Sequence, residues 1–79
     1  MAMSNYVPIP CAFHERLEFA VLRRQRLHLR YWDGTAEIEV LVLPLDVATR
    51  DGAEWLTFQA DSGTSQVLRL DAIISAEPA

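Results

Sequence analysis

Apolar and polar positions change period once along this chain. From Ala12 to about Arg24 no Gly or Pro intervenes, and Phe13, Leu17, Ala20 and Val21 recur at helical spacing. Such spacing places them on one face of a helix of roughly three turns, at about 1.5 Å rise per residue. Glu15 and Glu18 fall in its first two turns and Arg23 and Arg24 at its end, the order that suits the helix dipole. Beyond it the period drops to two. In "RLHLRYW", Leu27, Leu29 and Tyr31 alternate with His28, Arg30 and Trp32, which predicts a half-buried strand. Asp33-Gly34 is the strongest hairpin signal, because a type I′ turn needs positive φ at both central residues. The return strand is "TAEIEVLVLPL", with Ala36, Ile38, Val40 and Val42 on one face and Glu37 and Glu39 on the other. Pro44 cannot donate to a ladder, so it ends that strand or marks an edge or a bulge.

"DVATRDGA" then reads as a turn with Asp51-Gly52 at its tip, and "EWLTFQA" as a third strand with Leu56 and Phe58 on one face. "DSGTS" is another turn, "QVLRL" a fourth strand, and "DAIISA" a tight turn into a short fifth one. The pattern predicts a mainly β fold with one N-terminal helix, a strongly bent five-stranded antiparallel barrel of the SH3-like kind. Residues 1–79 form one domain, with the helix at about 12–24, strands over about 26–76, and frayed ends at 1–5 and 77–79. Closure would leave few free edges.

Ahead of the helix stands "YVPIPC". Pro8 and Pro10 fix φ at their own positions and push their predecessors toward extended backbone. Tyr6 to Pro10 is therefore expected to be an extended lead-in, with Pro10 or Cys11 at the helix entry. Tyr6, Pro8 and Ile9 form either a preset contact surface, which costs little entropy to hold in a bound shape, or a clasp that packs the helix down.

Charge and composition narrow the function. At 51% hydrophobic over 79 residues the chain can build a core. All seven bases are Arg, and eleven acids leave a net charge of -4. Residues 1–32 are net basic, whereas residues 33–79 hold nine acids against Arg50 and Arg69. An acidic domain repels phosphate chains, so DNA is not expected as a partner and RNA is disfavoured; a basic protein surface suits it better. Cys11 stands alone, which rules out an intrachain disulfide and fits a reducing cytoplasmic setting. No signal-peptide shape opens the chain, and the longest apolar run, Val40 to Leu45, is far too short for a bilayer, so no membrane association is expected.

The usual catalytic and metal-binding constellations are not met in this sequence. His14 and His28 have no carboxylate or thiol at metal-ligand spacing, and Cys11 with His14 lacks an orienting third group. Three isolated glycines make no phosphate loop. No catalytic residue, metal or cofactor is expected, and the protein reads as a non-enzymatic binding domain. Tyr31, Trp32 and Trp55 could stack on bases, with cross-strand packing the commoner alternative. The short Arg23-Arg24-Gln25-Arg26 run could contact phosphate, with a solvated helix end the commoner alternative.

Two families share features with this sequence. Tyr6, Pro8, Ile9, Cys11, Leu17, Glu18 and Ala20 resemble the opening of the Rho-binding antiterminators (Rof, YaeO-like). The likeness continues through Leu27, Leu29, Asp33-Gly34, Asp46, Arg50, Glu54-Trp55-Leu56, Gly63 and "RLDAIIS". The resemblance implies an Sm-like barrel that binds the transcription termination factor Rho at or beside its primary RNA-binding site and inhibits RNA loading and termination. Its partner-binding residues here would be Tyr6, Pro8, Ile9, His14, Glu15, Glu18, Asp46 and Arg50, on a protein that is monomeric when free. Ala12 and Phe13 replace acids usual in that family, which thins the acidic helix start. More weakly, "RYWDGTAEIEVLVLPLDV", "EWLTFQA" and "VLRLDAIIS" resemble WYL domains, which share the barrel and act in bacterial regulators as ligand or nucleic-acid sensors.

Overall fold

A computed structural model describes residues 10–79. The elements are α1 (Cys11–Arg23), β1 (Leu27–Trp32), β2 (Glu37–Arg50), β3 (Ala53–Ala60), β4 (Ser65–Arg69), a single 3-10 turn (Leu70–Ala72) and β5 (Ile73–Pro78). The mainly β architecture with one leading helix is as the pattern predicts.

Helix α1 starts where Pro10 leaves off. The Pro10 carbonyl accepts hydrogen bonds from the backbone N–H of Phe13 (3.0 Å) and His14 (3.2 Å). The predicted apolar face is the buried one: Leu17 and Ala20 are buried, with Phe13 and Val21 partly so. Arg24 stops the helix in the left-handed region (φ 53°, ψ 43°), where Gly is the usual occupant. There the Gln25 N–H donates back to the Ala20 carbonyl at 2.9 Å and the Arg24 N–H to that of Val21 at 3.2 Å.

All strands pair antiparallel in the order β4-β3-β2-β1-β5. β2 is the spine. Its first part pairs with β1 from Glu37 to Val42, its second with β3 from Val42 to Arg50. Between Pro44, opposite Phe58, and Asp46, opposite Thr57, the register shifts, and Leu45 is left over as a bulge. So Pro44 marks a bulge and does not end the strand, and "DVATR" is strand, not turn. Pairing resumes beyond the bulge: Val47 pairs with Leu56 and Ala48 with Trp55.

The core lies between α1 and the concave face of the sheet. Leu17, Leu29, Val42, Leu56, Phe58 and Leu70 are the largest fully buried side chains. Tyr31 packs tilted against Phe58, ring centroids 6.3 Å apart, and its hydroxyl donates to Gln66 Oε1 at 3.4 Å.

Three expectations change. The sheet is open, because β4 and β5 are its edges and are not bonded to each other. It is nevertheless strongly curled. Four residues from Arg69 to Ile73 can span at most about 14 Å, whereas the edges of a flat five-stranded sheet lie about 19 Å apart. The tail does not fray: Leu27 pairs with Pro78, His28 with Glu77, and the Ala79 N–H donates to Arg26 O at 3.0 Å. Finally, the two Asp-Gly pairs exchange roles. Asp33 opens a wider loop over residues 33–36, its Oδ1 accepting from the N–H groups of Thr35 and Ala36, both at 2.8 Å. Asp51 (φ 52°) and Gly52 (φ 75°) supply the two consecutive positive φ values of a type I′ hairpin.

Nothing lies within 4 Å of a Cβ placed on Gly52, so Gly52→Ala meets no clash. Its whole cost is left-handed backbone, about 1–2 kcal/mol, to be read from urea denaturation. The Asp33 carboxyl is held below the usual carboxylate range, first by the Ala36 N–H and then by that of Thr35. A depressed carboxyl stabilises the fold above its unfolded value of about 3.9, and that contribution is lost as pH falls through the folded value. An NMR titration should place the Asp33 midpoint below that of a free aspartate, with the Thr35 and Ala36 amides moving at the same midpoint.

Candidate functional site

A groove of about 460 Å³ lies between α1 and β2. The helix supplies Glu15, Glu18, Phe19, Val21 and Leu22, and the strand supplies Asp46 and Val47. The volume falls in the range of ordinary ligand sites, about 300–1,000 Å³.

The bulge at Leu45 builds the strand wall. Val42 and Pro44 are buried, so strict alternation would send Asp46 into the core and Val47 outward. One extra residue reverses the parity. Asp46 becomes exposed, and Val47 packs against the core. On the helix wall, Glu15 and Glu18 stand one turn apart, as do Phe19 and Leu22. Phe19 is 55% exposed and Leu22 78% exposed, the latter the most exposed large apolar residue described.

No cation among the described residues lines this groove. Four of the seven arginines are held by carboxylates: Arg16 by Glu77 (3.6 Å), Arg26 by Asp61 (2.9 Å), Arg30 by Glu37 and Glu39, and Arg69 by Asp71 (2.8 Å). Arg30 titrates above its ordinary value, chiefly because it donates to Glu37. Arg23 lies over the Phe19 ring (5.5 Å) and Arg50 over the Trp55 ring (5.4 Å). Glu15 is exposed and forms no ion pair among the described residues.

The sequence-predicted site residues divide accordingly. Glu15, Glu18 and Asp46 converge on the groove. His14 sits beside it, half-buried between two carboxylates, with Nδ1 3.5 Å from Glu18 and Nε2 3.1 Å from Glu54. That position ties α1 to β3. Arg50 is at the far end of β2, where its carbonyl accepts a hydrogen bond from Trp55 Nε1 at 3.0 Å. Tyr6, Pro8 and Ile9 lie outside the described residues. The possible base-stacking platform does not assemble: Tyr31 turns into the core, Arg50 covers Trp55, and Trp32 is 52% exposed at the end of β1.

Sequence reasoning missed Phe19, Leu22 and Val47 as site residues. A large apolar pair at i and i+3, off the stripe that packs on the sheet, was the available signal for the first two. Val47 had none, because its direction depends on the bulge. Among the described residues no cluster of His, Cys, Asp or Glu could hold a metal ion, and no helix is long and apolar enough to cross a membrane.

A family profile described as "WYL domain" matches residues 12–78, which falls on the weaker of the two resemblances read from the sequence. Among solved structures the chain is similar to proteasome accessory factor B/C (PafBC) of Arthrobacter aurescens, at 24% identity and a TM-score of 0.79. The match covers 95% of this chain and 12% of that one, so it speaks for the fold of one module within a much longer protein. No curated protein matches.

Removing the imidazole removes the contact that joins Glu18 on α1 to Glu54 on β3. His14→Ala should therefore lower stability by about 0.5–1.5 kcal/mol, measurable by urea denaturation, while the strand registers persist in the NMR spectrum.

Proposed function

The chain belongs to the WYL domain family, and from that membership we propose that it is a non-catalytic sensing module in transcription regulation. Its ligand binds in the groove between α1 and β2. The observation that carries this reading is the composition of that groove: three carboxylates over an apolar floor, with no cation among the lining residues. WYL domains act as ligand or nucleic-acid sensors, and the charge of the groove supports the first reading over the second. Phosphate chains need a positive track, and here the arginines are dispersed, most of them neutralised by neighbouring acids. A ligand other than nucleic acid fits this surface.

A second reading, inhibition of Rho, has one observation in its favour. Glu15, Glu18 and Asp46, assigned to Rho contact from the antiterminator resemblance, share one groove. An acidic surface can flank a positive RNA-binding cleft by matching its charge, which speeds encounter and fixes orientation. The family match lends its weight to the sensing reading, so Rho binding stands second.

Amide chemical-shift mapping tests both. The chain is titrated separately with nucleotides, amines, short peptides, a pyrimidine-rich oligoribonucleotide and purified Rho. A saturable response centred on Glu15, Phe19, Asp46 and Val47 from a small ligand or peptide is expected. Glu15→Lys should abolish that response while leaving the Tm nearly unchanged, since Glu15 is exposed. A salt-sensitive Rho complex displaced by the oligoribonucleotide would promote the second reading. A response to the oligoribonucleotide alone, away from the groove, would sink both.

A further inference from the structure

We infer that the occupant of the α1–β2 groove is a basic amphipathic helix from a partner protein. This names the ligand class for the site proposed above and rests on that reading.

Charge sets the first requirement. Carboxylates stand on both walls, Glu15 and Glu18 on the helix and Asp46 on the strand. None of the described arginines lines the groove. Arg16 reaches across the opposite flank of α1 to Glu77 and to the Ala76 carbonyl (3.3 Å). Arg23 lies over the Phe19 ring on that same flank, and Arg50 over the Trp55 ring. The carboxylates of the groove are thus left to a cation from another molecule. Anionic ligands are repelled there, and each like charge held close without a partner costs binding energy.

The apolar surface sets the second. Phe19 and Leu22, at i and i+3, rise along the lip, and Val21 and Val47 line the groove with them. A fully polar cation would leave these side chains in water. Taking them out of water favours binding, so a good occupant carries apolar groups between its charges.

Shape selects among such occupants. One wall is a helix of 13 residues, about 20 Å long at 1.5 Å per residue, and the groove lies open beside it. A second helix can lie there at the usual interaxial distance of about 8–10 Å. Its apolar stripe would meet Phe19 and Leu22, and bases one turn apart on it would match Glu15 and Glu18, which have the same spacing. Helix-in-groove recognition uses this combination of periodic anchors and flanking charge. The contact is small, so a weak, reversible complex is expected, with Kd on the order of ten micromolar or higher.

The test uses model peptides of about 14 residues, near the length at which isolated helices become stable. One is built from Leu and Lys with helical periodicity; a second has the same composition in alternating order. Spermine serves as a cation without an apolar face. Amide shifts and calorimetry report on the chain. The helical-period peptide should bind saturably, shift Glu15, Phe19, Leu22 and Val47, and weaken as salt is raised. The paired change Glu15→Gln with Asp46→Asn should weaken it about tenfold, and Leu22→Ala should do so by a similar factor. The alternating peptide and spermine should bind at least about tenfold more weakly. Equal binding by the alternating peptide or by spermine overturns the inference, because charge alone would then explain the affinity. So do shifts that lie outside the groove, or a sedimentation profile in which a second copy of the chain already fills it. If no peptide binds but another ligand moves the groove amides, the helix proposal falls and the sensing reading stands. If nothing moves them, both fall.

Discussion

A proline in the middle of the longest strand governs this fold. Pro44 brings no N–H to the ladder, and the sheet accommodates it by leaving Leu45 unpaired before pairing resumes at Asp46. That single extra residue has two effects. It bends β2 so that one strand can serve β1 with its first part and β3 with its second. It also exchanges the faces of everything after it: Val47 joins the core and Asp46 joins the surface. Without the shift a carboxylate would point at Leu56 and Phe58, and burial of an unpaired charge there would cost several kcal/mol. The acidic wall of the groove and the integrity of the core thus have one cause.

Helix α1 depends on that geometry in turn. It packs on β2 through Leu17 and Ala20, with Phe13 and Val21 at the margins. Once this stripe is fixed, rotation about the helix axis is fixed too, and Glu15, Glu18, Phe19 and Leu22 have only one place to go. Acids on the β2 side and Arg16 and Arg23 on the β1–β5 side give the helix two electrostatically distinct flanks. The strip of surface available to a partner is set by packing, whereas its sign is set by which side chains the core left outside.

Elements with regular periodicity were legible in the sequence. The helix, its buried face, β1 and the inward pair Leu56 and Phe58 all follow from spacing alone. The failures cluster where the backbone departs from regular pairing. Asp33-Gly34 and Asp51-Gly52 have the same two residues and different outcomes, because the Asp33 carboxylate accepts from Thr35 and Ala36 and widens its loop. Asp46-Val47-Ala48 looked like a turn because the proline before it masked the resumed alternation. Of the site, the three acids were legible as charge but not as neighbours. Glu15 and Glu18 are joined to Asp46 only by the packing of α1 on β2. Likewise Arg50, close to Asp46 in sequence, is carried away along the strand to the hairpin, and His14 is drawn aside by Glu18 and Glu54.

The short 3-10 link from Leu70 to Ala72 acts as a drawstring. It joins the two outermost strands across the end of the sheet, with Arg69 and Asp71 pinned to one another beside it, and so holds the curl that an open ladder would otherwise relax. Because α1 packs on the curled sheet, a change in the curl would be felt in the cleft between α1 and β2. Slackening that link by a few residues would open the cleft while leaving each residue in its walls unchanged.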